Sequence, residues 1–370
     1  GQQKLVSFFR AFLMTRVKSY IAKFMTENAV NLIGPATFEN LTGNRCLTQT
    51  FDRNHEFKVE HISLAQKADL FMIAPATANV IAKVANGLAD DMLTTTFLAC
   101  TCPKIIAPAM NTAMYQNKVT QDNIKKCLAY GMYVVEADEG YLACGTSGKG
   151  RLPEPETLFA WIEHFAPEKK DLEGKKILVT AGPTREALDP VRFLTNHSSG
   201  KMGYAVAKAA SERGADVTLI SGPVSLKELP FVKTIRITSA EQMAQAVKEN
   251  FFTSDILIKA AAVADYRPAC VSSQKIKKKD DDLSIPLERT QDILAWCGKN
   301  KKPNQFLCGF SMETQNMLEN SKAKLVKKNL DLIAANSLSS PDSGFAVDKI
   351  MIYRISYVHN LRFSFLFHVF

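Results

Sequence analysis

Short apolar runs alternate along this chain with longer amphipathic stretches. In the first half, residues 68–74 (ADLFMIA), 103–108 (PKIIAP) and 131–136 (GMYVVE) read as buried strands separated by helical stretches. Continuous apolar runs of this kind, alternating with helices, indicate a parallel sheet covered on both faces. Residues 165–175 (FAPEKKDLEGK) are polar and charged, with one Pro and one Gly, and read as a linker. The pattern then restarts. Strands fit residues 176–180 (KILVT), 216–220 (DVTLI), 255–260 (DILIKA), 306–310 (FLCGF) and 331–335 (DLIAA), and a helix fits about 201–213. The expected fold class is α/β, with two doubly wound Rossmann-like domains over residues 1–168 and 172–370. Ligands of such sheets bind beyond the carboxyl ends of the strands, so the chemistry is sought there.

Composition narrows the class. The 370 residues are 46% hydrophobic and 22% charged, an ordinary globular balance that suits two domains. No apolar run reaches the roughly 18 residues of a membrane span, and no leader with a small-residue cleavage site is evident. A cytoplasmic protein is expected. Eight cysteines at irregular spacings contain no CxxC pair, which argues against a zinc site or a disulfide framework and fits reduced thiols. The net charge of +9 gathers in clusters at 275–279, 299–302 and 322–328. Such clusters suit solubility or a polyanionic ligand. Nucleic acid is disfavoured because no aromatic residues interleave with the lysines.

Three segments of the first half carry candidate chemistry. Residues 74–79 (APATAN) form a small-residue turn through which backbone N–H groups and short polar side chains can reach a planar ligand or a phosphate. Packing alone would also account for it. Residues 108–111 (PAMN) follow an apolar strand, and the Asn111 amide can hold a carboxylate or carbonyl, or simply form a turn. Residues 142–151 (LACGTSGKGR) hold three glycines in ten residues. A loop of that kind leaves the Cys144 thiol accessible for proton transfer, although an ordinary surface cysteine would look the same. His61 opens a helix at residues 60–64 (EHISL), where it could serve as a base at neutral pH.

These four elements, in this order and joined by GLADDMLT at 87–94, resemble the phosphopantothenoylcysteine decarboxylases of the cysteine-decarboxylating flavoprotein family. The resemblance implies an FMN cofactor held by Ala74, Pro75, Thr77, Asn79, Pro108 and Met110. It makes His61 the active-site base, gives the substrate carboxylate to Asn111, and gives the late proton donation to Cys144. The chemistry is coherent. Loss of CO2 from a cysteinyl amide leaves a carbanion with no electron sink, and transient thiol oxidation by the flavin creates a thioaldehyde that accepts those electrons.

In the second half, residues 181–186 (AGPTRE) and 192–203 (RFLTNHSSGKMG) place a polar, Gly-containing loop ahead of a helix, where free N–H groups and the helix dipole favour an anion. The loop matches neither a Walker sequence nor GxGxxG, and a plain capped helix remains open. Asp265 closes the strand-end segment AAVAD, and a carboxylate there can bind a ribose or a metal. Lys324 and Lys328 stand one helical turn apart, suiting a triphosphate or a solvated face.

This set resembles phosphopantothenate–cysteine ligase, CTP-dependent in bacterial two-domain proteins, over residues 175–349. The resemblance assigns Asp265, Lys275, Phe310, Lys324 and Lys328 to CTP, with Gln291, Asp292, Ile293 and Leu294 lining the pocket. Asn196 would hold an acyl-cytidylate, with Arg192 nearby. Mg2+ would neutralise the phosphates, at residues the sequence leaves unidentified. A homo-oligomer with the flavin at a subunit interface is implied as well.

Both ends depart from the family pattern. The match is clear from about Met25, without the glycine-rich loop that cradles the flavin phosphate, and residues 5–13 read as a helix over that gap. The text after Lys349 fits no expected strand-and-helix ending. Tyr115 stands where tryptophan is commoner, and Thr146-Ser147 is unusual in the flap. Weak flavin retention, slow decarboxylation and weak ligation are therefore expected. A degraded inactive copy or a non-catalytic flavin-binding regulatory protein stays open. A flavin prenyltransferase or a peptidyl-cysteine decarboxylase is disfavoured by the fused ligase half.

Overall fold

The computed structural model describes residues 21–49, 60–142, 145–165, 170–278, 284–313, 316–337, 349–356 and 365–368. The chain divides into two compact units, Gly1–Pro167 and Glu168–Phe370.

The first unit begins with β1 (Lys23–Phe24), α1 (Glu27–Leu32), α2 (Pro35–Thr42) and β2 (Cys46–Leu47), the two strands pairing in parallel. Next come α3 (Glu60–Lys67), β3 (Phe71–Ala76), α4 (Ala78–Asn86), α5 (Met92–Ala99) and β4 (Lys104–Pro108). After these lie α6 (Thr112–Gln116), α7 (Lys118–Ala129), β5 (Tyr133–Val134), the hairpin of β6 (Asp138–Tyr141) and β7 (Ser147–Arg151), and α8 (Pro155–Phe165). Strands β3, β4 and β5 form a parallel sheet in that order.

Period-two alternation explains why helices cover both faces of this sheet. Phe71, Ile73 and Ile106 pack with Val80, Ile81, Phe97 and Ile124 from α4, α5 and α7. Their neighbours Met72, Ile105 and Ala107 pack on the other face with Leu158, Phe159 and Ile162 of α8. Each large apolar side chain fully buried in this way contributes about 1.5–3 kcal/mol. The GLADDMLT segment is a helix joint. Gly87 ends α4, and Asp91 caps α5 in a reciprocal capping box with Thr94. Lys83 of α4 reaches across to Asp90 at 2.7 Å and Asp91 at 3.1 Å.

The second unit contains β8 (Lys176–Ala181), β9 (Arg185–Ala187), β10 (Phe193–Thr195), α9 (Lys201–Glu212), β11 (Asp216–Ser221), β12 (Val232–Arg236) and α10 (Ala240–Phe251). It continues through β13 (Ile256–Lys259), β14 (Tyr266–Pro268), β15 (Leu287–Arg289), α11 (Ile293–Asn300), β16 (Phe306–Glu313), α12 (Met317–Lys327), β17 (Leu332–Ser337), β18 (Lys349–Ser356) and β19 (Phe365–His368). Its sheet runs β12-β11-β8-β13-β16-β17-β18-β19, with the first six strands parallel. Numbered along the chain, those six follow the Rossmann order 3-2-1-4-5-6. The strand order reverses between β8 and β13, which places the ligand crevice at their carboxyl ends. Again both faces are covered. Ile177, Val179, Val217 and Leu219 pack against α9, while Leu178, Ile220 and Leu257 pack against α10, α11 and α12.

One expectation is corrected here. The segment after Lys349 was read as lacking a strand, yet β18 pairs antiparallel with β17, from Leu332↔Ser356 to Ala335↔Tyr353, and β19 pairs with β18. The β-branched and aromatic residues of KIMIYRIS suit an added strand. Residues 5–13 and Cys144 lie outside the described residues.

Candidate active sites

In the first unit, β3 and β4 end side by side. Ala76 pairs with Pro108, and the Ala109 N–H donates to the Ala76 carbonyl at 2.9 Å. The turn 74–79 and the segment 108–111 are therefore adjacent at the carboxyl end of the sheet. Ala74 and Met110 are partly exposed, Pro75, Thr77 and Asn79 are exposed, and Pro108 is buried. Thr77 caps α4, its hydroxyl oxygen accepting the Val80 N–H at 3.3 Å. A hydroxyl that accepts can still donate, so the cap leaves Thr77 a proton to offer a phosphate.

Asn111 caps α6, with its Oδ1 accepting the Ala113 N–H at 2.8 Å. Contact with a carboxylate therefore falls to its Nδ2 donors, the polarity that a carboxylate needs. The β6–β7 hairpin folds onto this segment. The Leu142 N–H donates to the Thr146 carbonyl at 2.8 Å and the Gly145 N–H to the Leu142 carbonyl at 3.0 Å. Strand β7 reaches back, so that the Met110 N–H donates to the Gly150 carbonyl at 2.9 Å. A Cβ on Gly150 would stand 2.4 Å from the Met110 carbonyl oxygen, at a φ of +141°, so only glycine fits there. The seam also holds Thr112, whose Oγ1 is buried with no hydrogen-bond partner among the described residues. His61 is partly exposed in the first turn of α3. Because α3 leads directly into β3 in a βαβ arrangement, that turn lies toward the carboxyl end of the sheet.

In the second unit, the ends of β8 and β13 are stitched together. Pro183 bridges Ala262, the Ala262 N–H donates to the Gly182 carbonyl at 2.9 Å, and the Ala264 N–H donates to Thr184 Oγ1 at 3.0 Å. Asn196 joins from the loop before α9, its Nδ2 donating to the Ala262 carbonyl at 2.9 Å. Thr290 ties the next loop to this turn, its hydroxyl donating to the Ala264 carbonyl at 2.6 Å and its N–H to the Asp265 carbonyl at 3.0 Å. Asn196, Asp265 and the 290–292 loop are thus brought together at the reversal point. Helix α9 starts from Gly200 at φ +79° with no side-chain cap, and helix starts of this kind suit an anion.

Several of the expected contacts have structural duties. Asp292 caps α11 through the Ala295 N–H at 3.0 Å and pairs with Lys328 at 2.8 Å. Gln291 accepts from Lys248 at 2.8 Å. Ile293 and Leu294 are buried in the core, so only their backbone can face a ligand. Phe310 lies on β16. Lys324 approaches Ser311 on the same strand at 3.4 Å. Lys328 follows α12 and turns toward α11, so the two lysines reach different partners. Lys275 is exposed, in a loop anchored one residue further on at Ile276.

Two residues escaped the sequence reading. Lys259 ends β13, in the electrostatic reach of Lys328, Asp292 and Asp265, and its burial lowers its pKa from the ordinary 10.5. A charge closing an otherwise apolar strand was the available signal. Asp189 is buried, 3% exposed, and pairs with Arg192 at 2.6 Å. Hydrogen bonds from Arg192, Val191 and Ile276 outweigh that burial and hold its carboxyl well below the usual range. Among the described residues no cluster of three or more His, Cys, Asp or Glu forms a metal site, and no helix is long and apolar enough to cross a membrane.

Comparison with known proteins follows the same division. The flavoprotein family model matches residues 11–166, and the DNA/pantothenate metabolism flavoprotein C-terminal domain matches residues 172–360. The coenzyme A biosynthesis bifunctional protein CoaBC of Bacillus subtilis (strain 168) is 50% identical over 327 residues, covering 88% of this chain and 80% of that protein. The chain belongs to the CoaBC family. The CoaBC protein of Escherichia coli (strain K12) is 44% identical over 328 residues, covering 88% of this chain and 80% of that protein. A crystal structure of a CoaBC C-terminal domain shares 46% identity at a TM-score of 0.42, covering 50% of this chain and 83% of its own. The matches to these two family models extend beyond Met25 and Lys349, the limits set by motifs alone. Like its CoaBC relatives, the chain is a bifunctional enzyme of coenzyme A biosynthesis, with decarboxylase and ligase halves.

Proposed function

We propose that the chain makes 4'-phosphopantetheine in two steps. The second unit joins phosphopantothenate to cysteine at the expense of CTP, and the first decarboxylates the product with FMN. The observation that carries this reading is convergence: the separated motifs of each unit meet at the carboxyl ends of its parallel strands.

In the ligase step the phosphopantothenate carboxylate attacks the α-phosphorus of CTP, and pyrophosphate leaves. The acyl-cytidylate is held by the Asn196 amide, with Arg192 nearby. The cysteine amine attacks its carbonyl, and CMP departs. Lys275, Lys324 and Lys328 supply positive charge to the triphosphate, Asp265 engages the nucleotide, and Mg2+ travels with the phosphates.

In the decarboxylation step Asn111 holds the substrate carboxylate and His61 accepts the thiol proton. FMN, when bound, supplies reversible two-electron oxidation of the substrate thiol. Residues 74–79, Pro108 and Met110 line the flavin, and the hairpin bearing Cys144 covers the site, with the thiol returning a proton after CO2 has left. The same reading makes the enzyme a cytoplasmic homo-oligomer.

Two variants test the assignment. Cys144→Ser is expected to accumulate the oxidised enethiol, and Asn196→Asp to accumulate acyl-cytidylate, both visible by mass spectrometry. Parental turnover by both variants contradicts it.

A further inference from the structure

We propose that Asp189 is a positioning residue that clamps the Lys275 loop against the Arg192 loop and thereby sets the affinity for CTP. The proposal rests on reading the second unit as the CTP site.

The loop between β9 and β10 is first closed on itself. The Leu188 N–H donates to the Arg192 carbonyl at 2.9 Å. Asp189 Oδ1 then accepts the N–H groups of Val191 and Arg192, each at 2.8 Å. This is the local turn chemistry expected of an aspartate ahead of Pro190. The other oxygen works at long range. Asp189 Oδ2 accepts Arg192 Nε at 3.0 Å, Arg192 Nη2 at 2.6 Å, and the Ile276 N–H at 3.1 Å, although Ile276 lies 87 positions away. Arg192 Nη2 also donates to the Ile276 carbonyl at 2.8 Å. The Ser272 N–H adds a bond to the Leu188 carbonyl at 3.0 Å.

Ile276 is therefore held by both its N–H and its carbonyl, and its neighbour is Lys275. One buried carboxylate fixes the basic loop and the guanidinium together. Two carboxylate oxygens offer about four acceptor sites, and five donors already use them, so Asp189 has no capacity left for substrate. Its role must be exercised through Arg192 and Lys275. Arg192 keeps Nη1, which has no partner among the described residues. That edge is oriented by the clamp, and preorganised groups of this kind gain binding by losing less freedom when the ligand arrives.

Asparagine at this position keeps the shape but turns one acceptor into a donor, facing either Arg192 or the backbone N–H groups. The test uses the full-length enzyme and two readouts. The first is tryptic cleavage after Lys275, Lys277 and Lys278. The second is steady-state ligation at varied CTP. Asp189→Asn is expected to cleave at least about 10-fold faster, and its KM for CTP is expected to rise roughly 10- to 150-fold, the loss of one charge-assisted contact. The effect on kcat is expected to be smaller. In a Lys275→Gln background the same substitution is expected to raise KM by clearly less than it does alone, the remainder acting through Arg192. Ile276→Pro removes the tethering N–H while leaving Asp189 in place; it also makes the bond after Lys275 resistant to trypsin, so its cleavage is read after Lys277 and Lys278, where it is expected to reproduce both effects if Asp189→Asn fails to fold. Unchanged cleavage, unchanged KM, or full additivity with Lys275→Gln overturns the proposal. Faster cleavage in a protein whose parent consumes no CTP upholds the clamp as a loop restraint and overturns its link to CTP, and the CTP reading fails separately.

Discussion

The Gly150 carbonyl accepts the Met110 amide hydrogen at 2.9 Å. This bond ties the flap strand β7 to the segment that carries Asn111, so the covering hairpin and the carboxylate-binding turn are placed as one piece. Gly150→Ala would put a methyl group 2.4 Å from the Met110 carbonyl. The expected outcome is a displaced flap and about 100-fold slower decarboxylation, the scale of an ångström-sized misplacement. Ligation by the same protein is expected to stay at the parental rate. Comparing the two half-reactions in one preparation checks this, and an equal loss in both points instead to general misfolding.

Asn111→Asp separates structural duty from chemical duty. Aspartate caps helices about as well as asparagine, so the Ala113 N–H keeps its acceptor and the melting temperature is expected to move little. The Nδ2 donors are lost and a negative charge faces the substrate carboxylate. We expect kcat/KM for decarboxylation to fall at least about 100-fold, roughly 2.7 kcal/mol. A variant with parental kinetics removes Asn111 from carboxylate binding.

The central parallel strands were legible because both their faces are buried. Residues 176–180 and 216–220 were read within one residue of β8 and β11. The two-stranded ribbons β9–β10 and β14–β15 were not, because short, largely exposed strands carry no apolar run. The same logic governs the site. Asn196 lies in a loop that opens a helix and Asp265 follows a strand end, where sequence reasoning looks. Asp189 sits in a polar turn, and the partner that gives it meaning, Ile276, is distant in sequence. Ile293 and Leu294 are apolar residues beside a polar loop, a pattern that does not separate core from pocket lining.

Lys259 gives stability a distinct pH dependence. Burial lowers its pKa below 10.5, and nearby Lys328 lowers it further, against the opposing pull of Asp292 and Asp265. Between the lowered value and 10.5 the unfolded chain binds more protons than the folded one, so this residue makes stability rise with pH across that window. Below the window the partly buried charge is a standing cost. Lys259→Met is expected to melt higher than the parent near neutral pH, with each 1 kcal/mol of relief raising the midpoint by about 2–4 °C. The gap should narrow toward pH 10.5. Thermal melts of both proteins across pH check this, and a gap that is constant or widens with pH contradicts the assigned shift.

The most direct test of the joined reactions is a product balance on the purified protein given FMN, phosphopantothenate, cysteine, CTP and Mg2+. The account predicts 4'-phosphopantetheine, CO2, CMP and pyrophosphate in equal amounts, with ligation lost when CTP is withheld and phosphopantothenoylcysteine accumulating when flavin is removed. Ligation that proceeds without CTP, or decarboxylation that continues without flavin, contradicts it.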